Sequence, residues 1–220
     1  MNRPRICAAI VNDNLEAVKA IEPMVDLLEV RIDLIGDGWQ EIAGQLEKPW
    51  IACNRCADEG GNWAGSEAAR VEELLKAVGL GAAIIDIELS TEKLGEIIPA
   101  IKQSAECLVS FHAFQGTPEL TTMRDIVRSE MDAGADICKV VTTAHSFGDN
   151  LAVLQLIGDF PQTRMVAFAM GLPGMTSRVL CPLLGGDFTY ASTEEGSESA
   201  PGQLKITDLR KVYGMLENDK

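Results

Sequence analysis

The sequence predicts a compact (β/α)8 TIM barrel, and three observations predict it. Apolar runs alternate with amphipathic stretches at about 25 to 30 residues per unit, a pattern that implies a parallel sheet covered by helices. The count of such units is eight, the number that closes a ring of strands. No Gly-x-Gly-x-x-Gly follows the first apolar run, as it does in an open dinucleotide-binding sheet.

The elements follow in order. A strand over 5–11 precedes a helix over 14–24, and a strand over 27–34 precedes a helix over 39–46. The third strand, 50–56, leads to a helix over 66–78, with Ser66 and Glu67 as its start signal and Gly79–Gly81 as its stop. Strand 83–89 is followed by a helix over 91–102, opened by Thr91 and Glu92. Strand 107–114 precedes a helix over 118–133 that stops at Gly134. Strand 136–142 precedes a helix over 147–157, and strand 165–170 a helix over 174–184 that ends before Gly185-Gly186. Strand 188–192 and a helix over 207–216, opened by Thr207 and Asp208, close the chain. The Glu-, Ser- and Gly-rich segment 193–201 follows the eighth strand, on the side where barrel loops build active sites. It is expected to order over bound substrate as a lid.

Composition sets the limits. At 46% apolar and 24% charged residues the chain is globular, and with no linker or low-complexity stretch residues 1–220 read as a single catalytic domain. No apolar stretch approaches the ~20 residues that span a bilayer, and the apolar start is too brief for a signal peptide, so the expected location is cytoplasmic. A net charge of −14 disfavours nucleic acid and anionic membranes as partners, and any anionic substrate then needs a locally basic pocket. Of the six cysteines only Cys53 and Cys56 are close. A lone Cys-x-x-Cys resembles redox or half-zinc spacing, but no second pair exists and histidines number two, so buried free thiols are expected and no metal site is assigned.

Side chains alternate between the two faces of a strand. Lys139 stands inside Asp136-Ile137-Cys138-Lys139-Val140-Val141-Thr142, where a lysine is out of place unless it is paired or used. Burial disfavours an ammonium, and a neutral amine is the nucleophile of Schiff-base chemistry. The plain alternative is a strand-end lysine whose stem is buried and whose head reaches water. Its neighbours favour the first reading. Glu29, Arg31 and Asp33 share one parity of the second strand. Arg55 lies near the end of the third, and Asp86 and Glu88 alternate with Ile85, Ile87 and Leu89 in the fourth. His112 alternates with Phe111 and Ala113 in the fifth. Charged groups do not belong against an apolar helix layer, so this parity is expected to face the barrel interior. Glu29 with Arg31, and Asp86 and Glu88, read first as structural ion pairs, whereas His112 beside a buried lysine is a candidate general base. His145 is expected to be exposed or secondary.

In combination these runs resemble the type I 3-dehydroquinate dehydratase family. The motifs are Glu29-Val30-Arg31-Ile32-Asp33, Arg55 with Glu59-Gly60-Gly61, Asp86-Ile87-Glu88-Leu89, Ser110-Phe111-His112 and Ile137-Cys138-Lys139. Ala169-Met170-Gly171, Ser177-Arg178 and Ser199-Ala200-Pro201-Gly202-Gln203 follow. The resemblance implies a cofactor-free hydro-lyase of the shikimate pathway, in which Lys139 forms an imine with 3-dehydroquinate and His112 removes and returns protons during syn elimination of water. It further implies that Glu59 orients His112. Glu29, Arg31 and Arg55 would hold ring hydroxyls, Arg178, Ser199 and Gln203 the carboxylate, and Met170 would pack near the imine. By analogy it implies a homodimer, to which the apolar positions Val179, Leu180, Leu183 and Leu184 would contribute, although core packing alone also accounts for them. The chain departs from the family in having Ala113 where an aspartate is usual, and its short front predicts no N-terminal cap hairpin. The rival readings are a class I Schiff-base aldolase on the same fold and a non-catalytic small-acid-binding barrel.

Overall fold

The computed structural model describes residues 3–193 and 198–217. Among them nine strands form one sheet: β1 (Ile6–Ile10), β2 (Leu27–Arg31), β3 (Trp50–Cys53), β4 (Ile84–Glu88), β5 (Glu106–His112), β6 (Ile137–Thr143), β7 (Met165–Met170), β8 (Thr189–Ser192) and β9 (Leu204–Lys205). Every pairing is parallel, in the order β7-β6-β5-β4-β3-β2-β1-β8-β9. The helices are α1 (Leu15–Ile21), α2 (Ile32–Ile35), α3 (Trp39–Ala43), α4 (Glu67–Gly79), α5 (Leu94–Ile101), α6 (Leu120–Ala133), α7 (Gly148–Asp159), α8 (Met175–Leu180) and α9 (Ile206–Glu217). The eight expected strands are thus present in order, curled into an α/β fold of TIM-barrel type, and among the described residues no strand precedes β1. None of the described helices is long and apolar enough to cross a membrane.

Strands β1 to β8 bury most of both faces, as a barrel requires, and β9 is half-buried. One parity, including Ala8, Leu28, Val30, Ile85, Ile87 and Val109, packs outward with Val18 of α1, Leu74 of α4 and Ile98 of α5. Cys138, Val140 and Ala167 do the same against Met123 and Val127 of α6 and Val153 of α7. The other parity fills the interior with Leu27, Ile51, Ile84, Leu108, Ile137, Val166, Phe168, Phe188 and Tyr190. Each fully buried aliphatic side chain contributes about 1.5–3 kcal/mol relative to exposure.

Four details differ from the sequence expectations. β2 ends at Arg31, because Ile32–Ile35 coil into the single turn of α2 that closes at Gly36 (φ 73°), so Asp33 is not on the strand. Arg55 lies two residues past β3. Ser66 does cap α4, accepting from the Ala69 amide, but Thr91 does not cap α5. The Thr91 hydroxyl accepts instead from Arg70 at 2.8 Å, and α5 starts at Leu94. α9 begins at Ile206, which places Thr207 inside its first turn.

Closure of the ring is uneven. β8 ladders with β1 and with the extra strand β9, but among the described residues no ladder joins β7 to β8. That seam is held at its base by the Asp187 amide donating to the Met165 carbonyl (2.7 Å) and at its top by Gly171 donating to Pro201 (3.0 Å). Between these, Phe168 meets Tyr190 edge-on with ring centroids 6.1 Å apart.

Candidate active site

The interior parity that carries Ile137 and Val141 also carries Lys139, which is 5% exposed. Its Nζ donates to Asp86 Oδ2 at 2.7 Å and to the Tyr190 hydroxyl at 3.2 Å, and Glu29 Oε1 lies 3.9 Å away. The Tyr190 ring face is 4.6 Å from the same nitrogen. Lys139 is therefore a buried amine, not a strand-end lysine reaching water. The charged parity of β2, β4, β5 and β6 does face the interior, as alternation predicts.

Asp86 is the hinge of a buried chain of alternating charge. Its Oδ1 takes Arg55 Nη2 at 2.6 Å and the Ser110 hydroxyl at 2.7 Å. Arg55 also reaches Glu88 at 3.0 Å, and Glu88 binds Arg70, which in turn binds Glu67 at 2.8 Å. Although burial opposes it, Arg55 and Lys139 hold the Asp86 carboxyl well below the usual carboxylate range. The structural reading of Asp86 and Glu88 is thus half of the account, since Asp86 also touches the amine. Arg31 is engaged two-pronged by Asp33 at 2.9 and 2.7 Å.

His112 ends β5 and Glu59 sits in a 3-10 turn after β3. His112 Nδ1 lies 2.9 Å from Glu59 Oε2, while the Ser90 hydroxyl donates to Glu59 Oε1 at 3.0 Å. Burial pushes Glu59 up to about 7, with Glu88 adding to burial and Arg55 opposing it. Burial, then the charges of Arg55 and Lys139, push His112 well below its ordinary value. A neutral imidazole that gives Nδ1–H to a carboxylate keeps an unprotonated Nε2 as base. Phe114 stacks on the imidazole at 6.4 Å and 26°. Ala113 follows the strand and is tied to β6 through its backbone, its amide donating to the Val141 carbonyl and its carbonyl accepting from the Thr143 hydroxyl.

The far wall is different. Arg178 of α8 is 2% exposed and, among the described residues, has no acid partner. It lies 4.4 Å over the Phe168 ring, and one amino group donates to the Pro201 carbonyl at 3.3 Å. Its Nε has no hydrogen-bond partner, and burial pulls the guanidinium down to about 10. Gln203 Nε2 is likewise unpartnered, while its Oε1 accepts from the Ser199 amide at 2.8 Å.

One pocket collects the ten residues assigned catalytic or substrate-binding roles from the sequence: Glu29, Arg31, Arg55, Glu59, His112, Lys139, Met170, Arg178, Ser199 and Gln203 all line it. Tyr190 and Phe168 line it too and were missed; a phenol on the inward parity of an apolar strand was the available signal for Tyr190. His145 is exposed and bonds the Gln115 carbonyl at 3.0 Å. Of the expected lid 193–201, residues 194–197 lie outside the described residues.

Cys53 and Cys56 are free thiols. Cys53, Glu29 and Asp86 each place a ligand-type atom within 4.8 Å of the others. A cation fits that trio poorly, because burial raises the Cys53 thiol and Asp86 already serves Arg55, Ser110 and Lys139.

Comparisons with known proteins point to one family. The model of the type I 3-dehydroquinase family matches residues 6–220. A 3-dehydroquinate dehydratase of Dehalococcoides mccartyi is 41% identical over 214 residues, covering 97% of this chain and 96% of the relative. One from Methanococcoides burtonii is 37% identical, covering 98% and 95%. The crystal structure of 3-dehydroquinate dehydratase from Geobacillus kaustophilus superposes with a TM-score of 0.86 at 28% identity, covering 100% of this chain and 93% of that one. Matched over nearly its whole length, this chain belongs to the type I 3-dehydroquinase family.

Proposed function

We propose that this chain is a catalytic unit that dehydrates 3-dehydroquinate to 3-dehydroshikimate through an imine on Lys139. The observation that carries the reading is a buried amine sharing one pocket with a carboxylate-backed histidine and an arginine that no acid among the described residues pairs. The amine attacks the C3 ketone. The resulting iminium is a stronger electron sink than the ketone and acidifies the C2–H bond. His112 Nε2 takes that proton, and the electrons pass through the enamine to expel the C1 hydroxyl, to which the imidazolium returns the proton as water leaves by syn elimination. Glu59 fixes the imidazole. Arg178 and Gln203 offer unpaired N–H donors to the substrate carboxylate, with Ser199 holding the Gln203 amide in place. Glu29, Arg31 and Arg55 face the ring hydroxyls, and Met170 packs beside the imine.

The reaction needs no metal and no organic cofactor, and exhaustive chelation is expected to leave activity intact. The residues 1–220 act as one domain, in the cytoplasm, as a homodimer carried over from the family; a monomer in sedimentation would retire that last assignment. The deciding experiment is borohydride reduction with 3-dehydroquinate present, followed by peptide mass mapping. The expected adduct is on Lys139, and an unmodified Lys139 sinks the mechanism. Lys139→Ala should lose turnover with the fold retained. An aldolase would instead need a phosphate-binding loop near β7 and β8, where this pocket offers Arg178 and Gln203.

A further inference from the structure

Tyr190 is the third group in contact with the Lys139 amine, and the proposed reaction leaves it without a task. Its hydroxyl lies 3.2 Å from Nζ, closer than Glu29, and among the described residues that nitrogen is its hydrogen-bond partner. The ring is fixed from two sides, by Phe188 at 5.4 Å and Phe168 at 6.1 Å, so the hydroxyl has a set position. β8 aims it inward one residue beyond Thr189, in register with Cys7 of β1. The carboxylate on the other side of the amine, Asp86, is tied to Arg55 and Ser110 and stays ionised, which makes it an acceptor and not a proton donor. His112 is held against Glu59 for work at C2.

Resting on the imine reading above, we propose that Tyr190 is a catalytic residue that carries a proton from nitrogen to oxygen when the carbinolamine forms on Lys139. Neutral Nζ attacks the ketone carbon, the C–N bond forms, and the carbonyl π pair moves to oxygen. The phenol gives its O–H proton to that oxygen and takes a proton from the now cationic nitrogen. The product is a neutral carbinolamine with the phenol restored, so the balance closes without a co-reactant. The attacked oxygen is bonded to the carbon that Nζ attacks, which brings both ends of the transfer within reach of one hydroxyl. Burial and the nearby Glu29 charge keep the phenol protonated, as a donor must be. The same transfer in reverse assists hydrolytic release of the product imine.

The test is rapid-quench borohydride trapping with wild type and Tyr190→Phe, which keeps the ring and removes the hydroxyl. We expect adduct on Lys139 to accumulate about 100-fold more slowly in the variant, within the range of general acid–base effects. The isotope effect on kcat/KM for substrate deuterated at C2 should fall toward unity as imine formation becomes limiting. A purely structural hydroxyl predicts the opposite. Losing an acceptor for the ammonium favours the neutral amine, so trapping would be unchanged or faster. No adduct in wild type overturns the imine reading and the Tyr190 role with it; a wild-type adduct matched in rate by the variant overturns the Tyr190 role alone. Should Tyr190→Phe fail to fold, replacement of both tyrosines by 3-fluorotyrosine, a more acidic phenol, should move the pH profile of trapping to lower pH, and an unmoved profile overturns the proposal.

Discussion

Two buried arginines border one pocket and live under opposite rules. Arg55 is boxed by Asp86, Glu88 and Ser110, so every contact it makes is already satisfied. Arg178 has a carbonyl, an aromatic face and an unpartnered Nε. A buried charge without a counter-ion is costly, and a chain retains it where a ligand completes the pair. The β3–β4 wall is thus finished before substrate arrives, and the β7–β8 wall is finished by it. On the proposed reading the first wall aligns the amine and meets the ring hydroxyls with groups already paired, and the second supplies the unpaired donors for the carboxylate.

Substitutions can break that division. Arg55→Met leaves Asp86 with Lys139 and Glu88 with Arg70 but takes the second cation from each buried acid, and it should cost about 3 kcal/mol of stability in urea or thermal unfolding. A loss under ~1 kcal/mol would mean the boxed wall is not a unit. Arg178→Met removes a cation that no acid among the described residues pairs, so unfolding should shift little while KM rises by about 2–3 kcal/mol, roughly 30- to 150-fold. A KM unchanged by that substitution would erase the contrast.

A third region sharpens it. Glu130 on α6 is fully buried behind β6, where among the described residues no cation pairs it and only the Lys139 amide and the Cys138 thiol approach its carboxyl, short of well-formed hydrogen bonds. Burial raises its pKa well above 4.5. A carboxyl whose folded pKa is raised costs nothing extra below the unfolded value and destabilises increasingly as pH rises toward the folded one. Glu130→Met should therefore stabilise by about 1–3 kcal/mol at neutral pH, with the gain fading below pH ~4.5. Unlike Arg178 it faces no pocket, and a loss of activity without a loss of stability would show that the distinction by location fails.

Glu59 supplies a smaller, pH-resolved effect. Above about 7 it is a carboxylate that takes Nδ1–H and leaves His112 Nε2 as base; below, its own proton goes to Nδ1 and the tautomer reverses. The rate should rise with pH through about 7, and Glu59→Gln should remove that limb at a cost of about tenfold or more. Ser90→Ala, one bond further out, should shift the limb upward by a few tenths, since a donor to the carboxylate is lost.

Period-two alternation exposed Lys139, His112, Arg31 and Glu29 because their strands are regular and the opposite, helix-facing parity of those strands is apolar. It mis-assigned Asp33, since nothing local announces that β2 stops at Arg31 and turns at Gly36. Thr91 failed as a cap because Arg70, 21 residues earlier, claims its hydroxyl. Competition of that kind is tertiary and leaves no mark in a window of sequence. Glu130 was legible: Met123, Val127 and Glu130 are spaced by four and three, which puts the acid on the buried face of α6. Tyr190 was legible by parity, but the asymmetry between the two arginines was not, because it depends on which strands become neighbours.

The missing ladder between β7 and β8 has a kinetic meaning. Ladder hydrogen bonds shield amides from exchange, and a seam held by one backbone contact at each end is the cheapest place for the barrel to breathe. Arg178 and Pro201 sit at the upper end of that seam, so a carboxylate drawn onto Arg178 bolts together the two strands that the backbone leaves apart. In the proposed role the substrate carboxylate would be a removable rung there, and the facing amides of β7 and β8 should be the ones whose exchange slows most when it binds.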